Sequence, residues 1–331
     1  MSVTSPIQDQ TPAAWTEAEI SAYSRERIEL GSKSFAGASK LFDPATRASA
    51  MMLYAWCRHC DDVIDGQELG HNTTEAPHAA TEARLSELRA KTIAALDGRA
   101  SEPAFLALQT VAARHVIPRR FPLDLIEGMA MDVRGHQART LDDTLLYCYH
   151  VAGCVGVMMA IVMGAKTHAA LDRASDLGLA FQLTNIARDV AADARAGRLY
   201  IPAAWLAEAG ISPDQILAPQ NRDAVHAVRL RLLGEADRYY ASAYYGLPML
   251  PARSALAIAA ARRIYQGIGA NVRALGPAGL ETRAFVSRAR KRVLAAAALA
   301  DTARSHGLSR FYTQPDRSGL WTMPHPVGGG P

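Results

Sequence analysis

A chain of 331 residues with 49% hydrophobic and 21% charged residues has ordinary globular composition and enough apolar mass for a large core, which excludes a disordered or fibrous protein. The formal charge of +4 carries no run of five or six Lys/Arg, and aromatic side chains are not interleaved with basic ones, which excludes a nucleic-acid surface. Mild basicity suits anionic ligands or an anionic membrane surface. Alanine is abundant, β-branched residues are sparse and long segments repeat near 3.6 residues, so the expected fold class is all-α.

Residues 1–14 are rich in Ser, Thr, Pro and Gln and are expected to be disordered; they lack the basic start and apolar run of a signal peptide. Thr16 suits the N-cap of a first helix ending near Gly31. Asp43-Pro44 opens a long helix that runs through Tyr54 to Asp65 and stops at Gly66. After a polar loop over 66–80, helices are expected at 82–96, from Ser101 to Val116, and from Pro122 through Val133. Leu141 begins the most apolar helix, ending near Gly164. Its apolar run over 151–165 spans 15 residues, short of the roughly 20 that cross a bilayer. A helix through Asp193 follows, then a Gly/Pro-rich connection over 195–222 of the length usual for lids and binding loops. Helices over 222–245, 253–273 and 282–303 complete one all-α domain over 15–304, leaving 305–331 as a flexible tail.

Two stretches stand out. In Tyr54-Ala-Trp-Cys-Arg-His-Cys-Asp-Asp-Val-Ile-Asp65, Asp61 and Asp65 share a helix face, with Asp62 between them. In Gln182-Leu-Thr-Asn-Ile-Ala-Arg-Asp-Val-Ala-Ala-Asp193, Gln182, Asn185, Asp189 and Asp193 fall at spacings of 3, 4 and 4, a stripe of oxygen donors. Taken singly, each aspartate reads as part of a solvated face. Two acidic pairs embedded in such apolar runs are better explained by a hard cation such as Mg²⁺, which takes carboxylate oxygens and completes its shell with water and phosphate. Two stripes facing each other across a bundle would hold such ions against an anionic group.

Arg58 and Arg188, beside these aspartates, serve equally as intrahelical ion pairs or as fork-like binders of diphosphate. Cys57 and Cys60 have the spacing of a redox or zinc pair, but no second pair accompanies them, and small apolar packing residues in a reducing cytoplasm fit better. Gly153 and Gly156 each cost about 1 kcal/mol in a helix relative to alanine, so something approaches closely. Helix packing and the floor of a hydrocarbon channel lined by Val151, Ala152, Val155 and Met159 both answer.

With these residues assembled, the chain resembles the squalene/phytoene synthase family, most nearly its bacterial phytoene synthases. The matching motifs are Ser32-Lys-Ser-Phe35, Tyr54 to Asp65, Glu127-Gly-Met-Ala-Met-Asp132, Tyr147 to Gly156, Gln182 to Pro202, Arg263-Ile-Tyr265 and Thr282 to Ser287, covering about residues 20 to 300. The resemblance implies an isoprenoid-synthase bundle around a central cavity. It also implies a Mg²⁺-dependent prenyltransferase of carotenoid biosynthesis, which joins two geranylgeranyl diphosphates head to head through prephytoene diphosphate into phytoene.

Residue by residue, the resemblance assigns Asp61, Asp62, Asp65, Asn185, Asp189 and Asp193 to Mg²⁺, with Mn²⁺ as a substitute. Ser32, Ser34, Arg58, Arg188, Tyr265 and Arg283 match diphosphate contacts. Tyr54, Tyr147, Phe35 and Gln182 match positions around the reacting carbons, and Val151, Ala152 and Gly156 match the prenyl channel. His150 departs from the tyrosine frequent in relatives. No NADPH is expected, which suits a redox-neutral product. A farnesyl substrate yielding a C30 product (dehydrosqualene or hydroxysqualene) is the alternative within the class, and a non-catalytic prenyl-diphosphate-binding subunit the alternative outside it. A cytoplasmic protein in peripheral membrane contact is expected, with Leu320-Trp321 or the 195–222 connection as the contact.

Overall fold

The computed structural model describes residues 15–31, 33–66, 78–308 and 315–324, with only the backbone of 33–35 and 78. The expectations for residues 1–14, for most of the 66–80 loop and for Ser32, and for the side chains of Ser34 and Phe35, lie outside what it describes. Thirteen α-helices and no strand occur among the described residues. They are α1 (Glu17–Gly31), α2 (Lys33–Ser39), α3 (Pro44–Asp65), α4 (His78–Leu96), α5 (Pro103–His115), α6 (Arg120–Val133) and α7 (Leu141–Cys148). After a π-helical turn over Tyr149–Gly153 come α8 (Cys154–Val162), α9 (His168–Arg195), α10 (Ala203–Glu208), α11 (Arg222–Tyr244), α12 (Ala252–Leu275) and α13 (Arg288–Leu308).

Local chemistry explains the ends. Glu19 N donates to Thr16 Oγ1 while the Glu19 carboxylate accepts from Thr16 N, a reciprocal cap. The Asp43 carboxylate accepts from the amides of Ala45 and Thr46, and Gly66 closes α3 at φ 61°, a conformation open to glycine. Thus α3 carries its acidic cluster in its last turn and stops.

Helix α9 is the axis of the molecule. At 28 residues it is about 42 Å long, and its buried residues fall on several faces, because α8, α11, α12 and the π turn surround it. Backbone meets backbone on the α8 side. A Cβ on Gly178 would sit 2.5 Å from the Ala152 carbonyl oxygen, and one on Gly156 2.6 Å from that of Ala174. The glycines therefore answer first to helix packing, and by allowing α8 and the π turn to lie so close to α9 they also shape the cavity described below.

The structure departs from the expectations in four places. The apolar helix is broken by the π turn, one residue wider than an α turn. Its whole run over Leu141–Val162 is 22 residues, long and apolar enough to cross a bilayer, but 56% of its most apolar window is buried inside the fold. The last helix begins at Arg288 rather than Thr282, since 277–281 form a 3₁₀ turn and Ser287 caps it by accepting from Arg290 N at 3.3 Å. The 195–222 connection is not loose: it contains α10 and two 3₁₀ turns and buries Ile201, Trp205, Leu206, Ile211 and Ile216.

Finally, α13 extends to Leu308 and residues 315–324 are packed, where a flexible tail is expected from 305. Arg317 grips the fully buried Asp176 with two hydrogen bonds of 2.9 and 2.6 Å. Trp321 donates its amide to Tyr239 Oη, and Met323 is buried. The cause is charge: a carboxylate deep in the core requires a cation, and the chain supplies it from this distant segment.

Candidate active site

An apolar cavity of about 510 Å³ lies between α8, α9 and α12. Val151, Ala152, Val155, Gly156 and Met159 form one wall, and Ile264 and Tyr265 another. Along α9 the lining residues Ala174, Leu177, Phe181 and Asn185 recur every three or four positions, with Gln182 beside them, one stripe of the helix. Tyr265 stacks on Phe181, with ring centroids 4.1 Å apart, and Tyr54 of α3 also lines the space. Aromatic faces thus stand in an apolar enclosure, a setting that attracts a cation without attacking it.

One turn further along α9 the chemistry changes from apolar to charged. Arg188, Asp189 and Asp193 line a second pocket of about 220 Å³ together with Arg195, Glu281 and Arg283. Arg188 donates from Nε to Asp189 Oδ1 at 2.8 Å, and Arg283 Nε approaches the same oxygen at 3.3 Å. On α3, Arg58 donates to Asp62 Oδ1 from Nε and Nη2, at 3.0 and 2.9 Å. Arg198, in the loop after α9, donates from Nη2 to Asp65 Oδ1 at 3.0 Å. The two stripes are therefore joined at one end of the bundle.

Between them lies Asp132 of α6. Its carboxylate accepts from Tyr200 Oη at 2.8 Å and Tyr147 Oη at 3.0 Å, and those two rings stack 4.5 Å apart. Burial raises its pKa, while Tyr200, Arg198 and Tyr147 lower it. The negative charge of Asp132 bears on both Asp61 and Asp193. Asp61 is pushed up to about 7, first by the desolvation of its crowded carboxyl, although the residue is open to solvent, and then by Asp65, Asp62 and Asp132 against the pull of Arg58. Asp193 is likewise pushed up to about 7 by burial, Asp189 and Asp132, against Arg198 and Arg188. In both, burial is the larger cause and the neighbouring carboxylates add to it.

Whether these residues fit a divalent cation is answered by their donors. Every candidate ligand offers oxygen, as Mg²⁺ requires. Asn185 Nδ2 donates to Gln182 Oε1 at 3.3 Å, but the buried Asn185 Oδ1 has no hydrogen-bond partner among the described residues. No group of three or more His, Cys, Asp or Glu among the described residues closes tightly enough to hold a metal unaided. The fit to Mg²⁺ rests on the all-oxygen donor set and on the unpartnered Asn185 Oδ1.

Tyr54, Val151, Ala152, Gly156, Gln182, Asn185 and Tyr265 line the apolar cavity, and Arg188, Asp189, Asp193 and Arg283 line the charged pocket. Tyr265, expected at the diphosphate, lines the apolar cavity and stacks on Phe181. Tyr147, expected near the reacting carbons, is buried with its hydroxyl on Asp132 and is not among the cavity-lining residues. Asp132, Arg198, Tyr200 and Phe181 were not singled out. Their signals lie in the sequence: Asp132 ends Glu127-Gly-Met-Ala-Met-Asp132, and Arg198 and Tyr200 lie within Gln182 to Pro202. Cys57, Cys60, Cys148 and Cys154 are free thiols held well above their ordinary pKa by burial, consistent with packing.

A family model described as squalene/phytoene synthase matches residues 28–293. The chain is 51% identical over 297 residues to a 15-cis-phytoene synthase of Enterobacter agglomerans, covering 90% of this chain and 100% of that protein. It is 52% identical over 309 residues to a 15-cis-phytoene synthase of a Paracoccus species, covering 91% and 97%. Among solved structures, a dehydrosqualene synthase in complex with ligand superposes with a TM-score of 0.74 at 25% identity, over 86% of this chain and 96% of that one.

Proposed function

The chain belongs to the squalene/phytoene synthase family, and we propose that it condenses two geranylgeranyl diphosphates head to head, through prephytoene diphosphate, into phytoene. One observation carries the reading: a single helix, α9, lines an apolar cavity of about 510 Å³ along one stretch and presents arginines and aspartates along the next. An amphiphile with a long hydrocarbon tail and an anionic head matches that sequence of surfaces.

Each group has a task that its surroundings allow. Arg58, Arg188, Arg198 and Arg283 surround the acidic mouth and would hold diphosphate oxygens by fork-like hydrogen bonds. Asp61, Asp65, Asn185, Asp189 and Asp193 would hold Mg²⁺, which when bound neutralises the leaving diphosphate as a Lewis acid. The rings of Tyr54, Phe181 and Tyr265 face the space where allylic positive charge develops, a cation–π stabilisation of up to about 2 kcal/mol. Val151, Val155, Met159 and Ile264 keep the space dry, so that the second prenyl double bond rather than water meets the carbocation. Ionisation of one allylic diphosphate, attack by the double bond of the second substrate and loss of a proton give prephytoene diphosphate. Departure of its remaining diphosphate, rearrangement and loss of a second proton give phytoene. Two diphosphates and two protons leave, no reductant is consumed and NADPH has no part.

Separate incubations with geranylgeranyl and farnesyl diphosphate, with products identified by mass, test the reading. A C40 hydrocarbon from the first at the higher kcat/KM is expected. A clear preference for the second would assign the cavity to a C30 product.

A further inference from the structure

We propose that the outward face of α13, together with Phe285 ahead of it, docks this protein on an anionic lipid surface and holds the mouth of the cavity against it. The helix has an ordinary inner face: Leu294, Ala298, Asp301 and Ser305 are buried, and Arg263 Nη2 donates to Asp301 Oδ1 at 2.6 Å. Its outer face is the unusual one. Val293 and Leu299 are 56% and 57% exposed, with Ala296 and Ala300 between and beside them on the same side of the helix. Phe285 is 72% exposed, and its backbone is pinned by Asn271, whose Nδ2 donates to the Phe285 carbonyl at 2.7 Å. A solvated helix face would carry polar residues at these positions.

The charge around this apolar stripe has one sign. Arg283, Arg288, Arg290, Lys291 and Arg292 fall within ten residues, and no Asp or Glu occurs between Glu281 and Asp301. Apolar side chains flanked by arginine and lysine characterise helices that lie in the plane of a membrane, where the apolar face enters the acyl boundary and the cations meet anionic headgroups. A second copy presenting the same face would bring like charges together. The other expected contacts are otherwise engaged: Trp321 packs on Tyr149 with ring centroids 5.4 Å apart, and the 195–222 connection buries its large apolar residues.

The surface adjoins the site. Arg283, two residues before Phe285, reaches Asp189 at 3.3 Å, and Val286 and Leu294 abut Gly267, two residues beyond Tyr265 on the cavity wall. A bilayer against this face would stand beside the mouth, so that an amphiphilic substrate could enter and a hydrocarbon product leave without crossing water. That consequence rests on the function proposed above; the docking itself does not.

The test is co-sedimentation of the full chain with phosphatidylcholine vesicles, with and without phosphatidylglycerol, and in high salt. Two variants accompany it: Arg288→Gln/Arg290→Gln/Arg292→Gln, and Phe285→Ser/Leu299→Ser. The wild type is expected to bind the anionic vesicles about tenfold or more tightly than the neutral ones, with salt weakening the difference, and each variant to lose about tenfold or more of that binding. Turnover of detergent-dispersed substrate should stay within about twofold, while turnover of vesicle-borne substrate falls with binding. Equal wild-type binding to both vesicles, or unchanged binding in either variant, overturns the proposal. Dimerisation in solution that Phe285→Ser/Leu299→Ser abolishes would also overturn it, by assigning the face to a second copy. Vesicle binding as expected with no turnover of any prenyl diphosphate would instead overturn the functional reading and leave the docking standing.

Discussion

Arg198 donates from Nη2 to Asp65 Oδ1 across 3.0 Å, tying the last turn of the first aspartate helix to the loop that follows the second. The same guanidinium pulls down the pKa values of Asp132 and Asp193, so one side chain bears on carboxylates from three helices.

Arg198→Gln is expected to lower kcat/KM by about 10- to 100-fold through misplacement of the two stripes and loss of a diphosphate donor. Stability should change by less than about 1 kcal/mol, because the pair is partly solvated. Steady-state kinetics and a thermal melt on the same preparation check both halves, and Arg198→Lys should restore only part of the activity.

The Asp132 carboxylate depends on two tyrosine hydroxyls. Tyr200→Phe and Tyr147→Phe should each cost about 1–2 kcal/mol by removing a donor from a buried acceptor. Both hydroxyls lower the Asp132 pKa, so each loss raises it further above the ordinary carboxylate range. Denaturant melts of the single and double variants should be non-additive, since both hydroxyls serve one carboxylate.

Glycine separates packing from propensity. Gly178→Ala has no room, with the Ala152 carbonyl oxygen 2.5 Å from the new Cβ, and should destabilise by about 1–3 kcal/mol. Gly234→Ala, inside α11 with nothing within 4 Å of the new Cβ, should stabilise by about 0.5–1 kcal/mol. Urea denaturation of the two variants compares them directly.

Asp193 is raised from the ordinary 3.8 to about 7 in the metal-free protein. A carboxyl with its folded pKa above its unfolded one favours the fold less and less as pH rises from about 4 to 7. Metal-free Asp193→Asn should therefore melt above the wild type at pH 8, with the gain shrinking toward pH 4. The same protons compete with cation, so the apparent Mg²⁺ affinity of the wild type should weaken from pH 8 to pH 6. Calorimetric melts and Mg²⁺ titrations across that range read both effects.

The two aspartate stripes were legible because helical periodicity is local: four residues apart means one face, whatever surrounds the helix. Helix caps at Thr16, Asp43 and Gly66 were legible for the same reason. Asp132 and Arg198 were not singled out, because their partners are supplied by tertiary approach: Arg198 is 133 residues from Asp65, in a loop without periodicity. The π turn packs against α6 and α9, and no residue pattern announces it. Residues 315–324 read as a loose tail by composition, yet Arg317 is needed by a carboxylate that the sequence alone does not show to be buried.

The central claim is that the stripes on α3 and α9 serve one cation-dependent site. Its most direct test is product formation from geranylgeranyl diphosphate as Mg²⁺ is titrated into metal-free wild type, Asp61→Asn and Asp193→Asn, with product identified by mass. A C40 hydrocarbon that appears with Mg²⁺, vanishes with chelator and falls at least about 100-fold in either variant, each still folded, is the predicted result. Full turnover in either variant, or product formation indifferent to chelator, would contradict it.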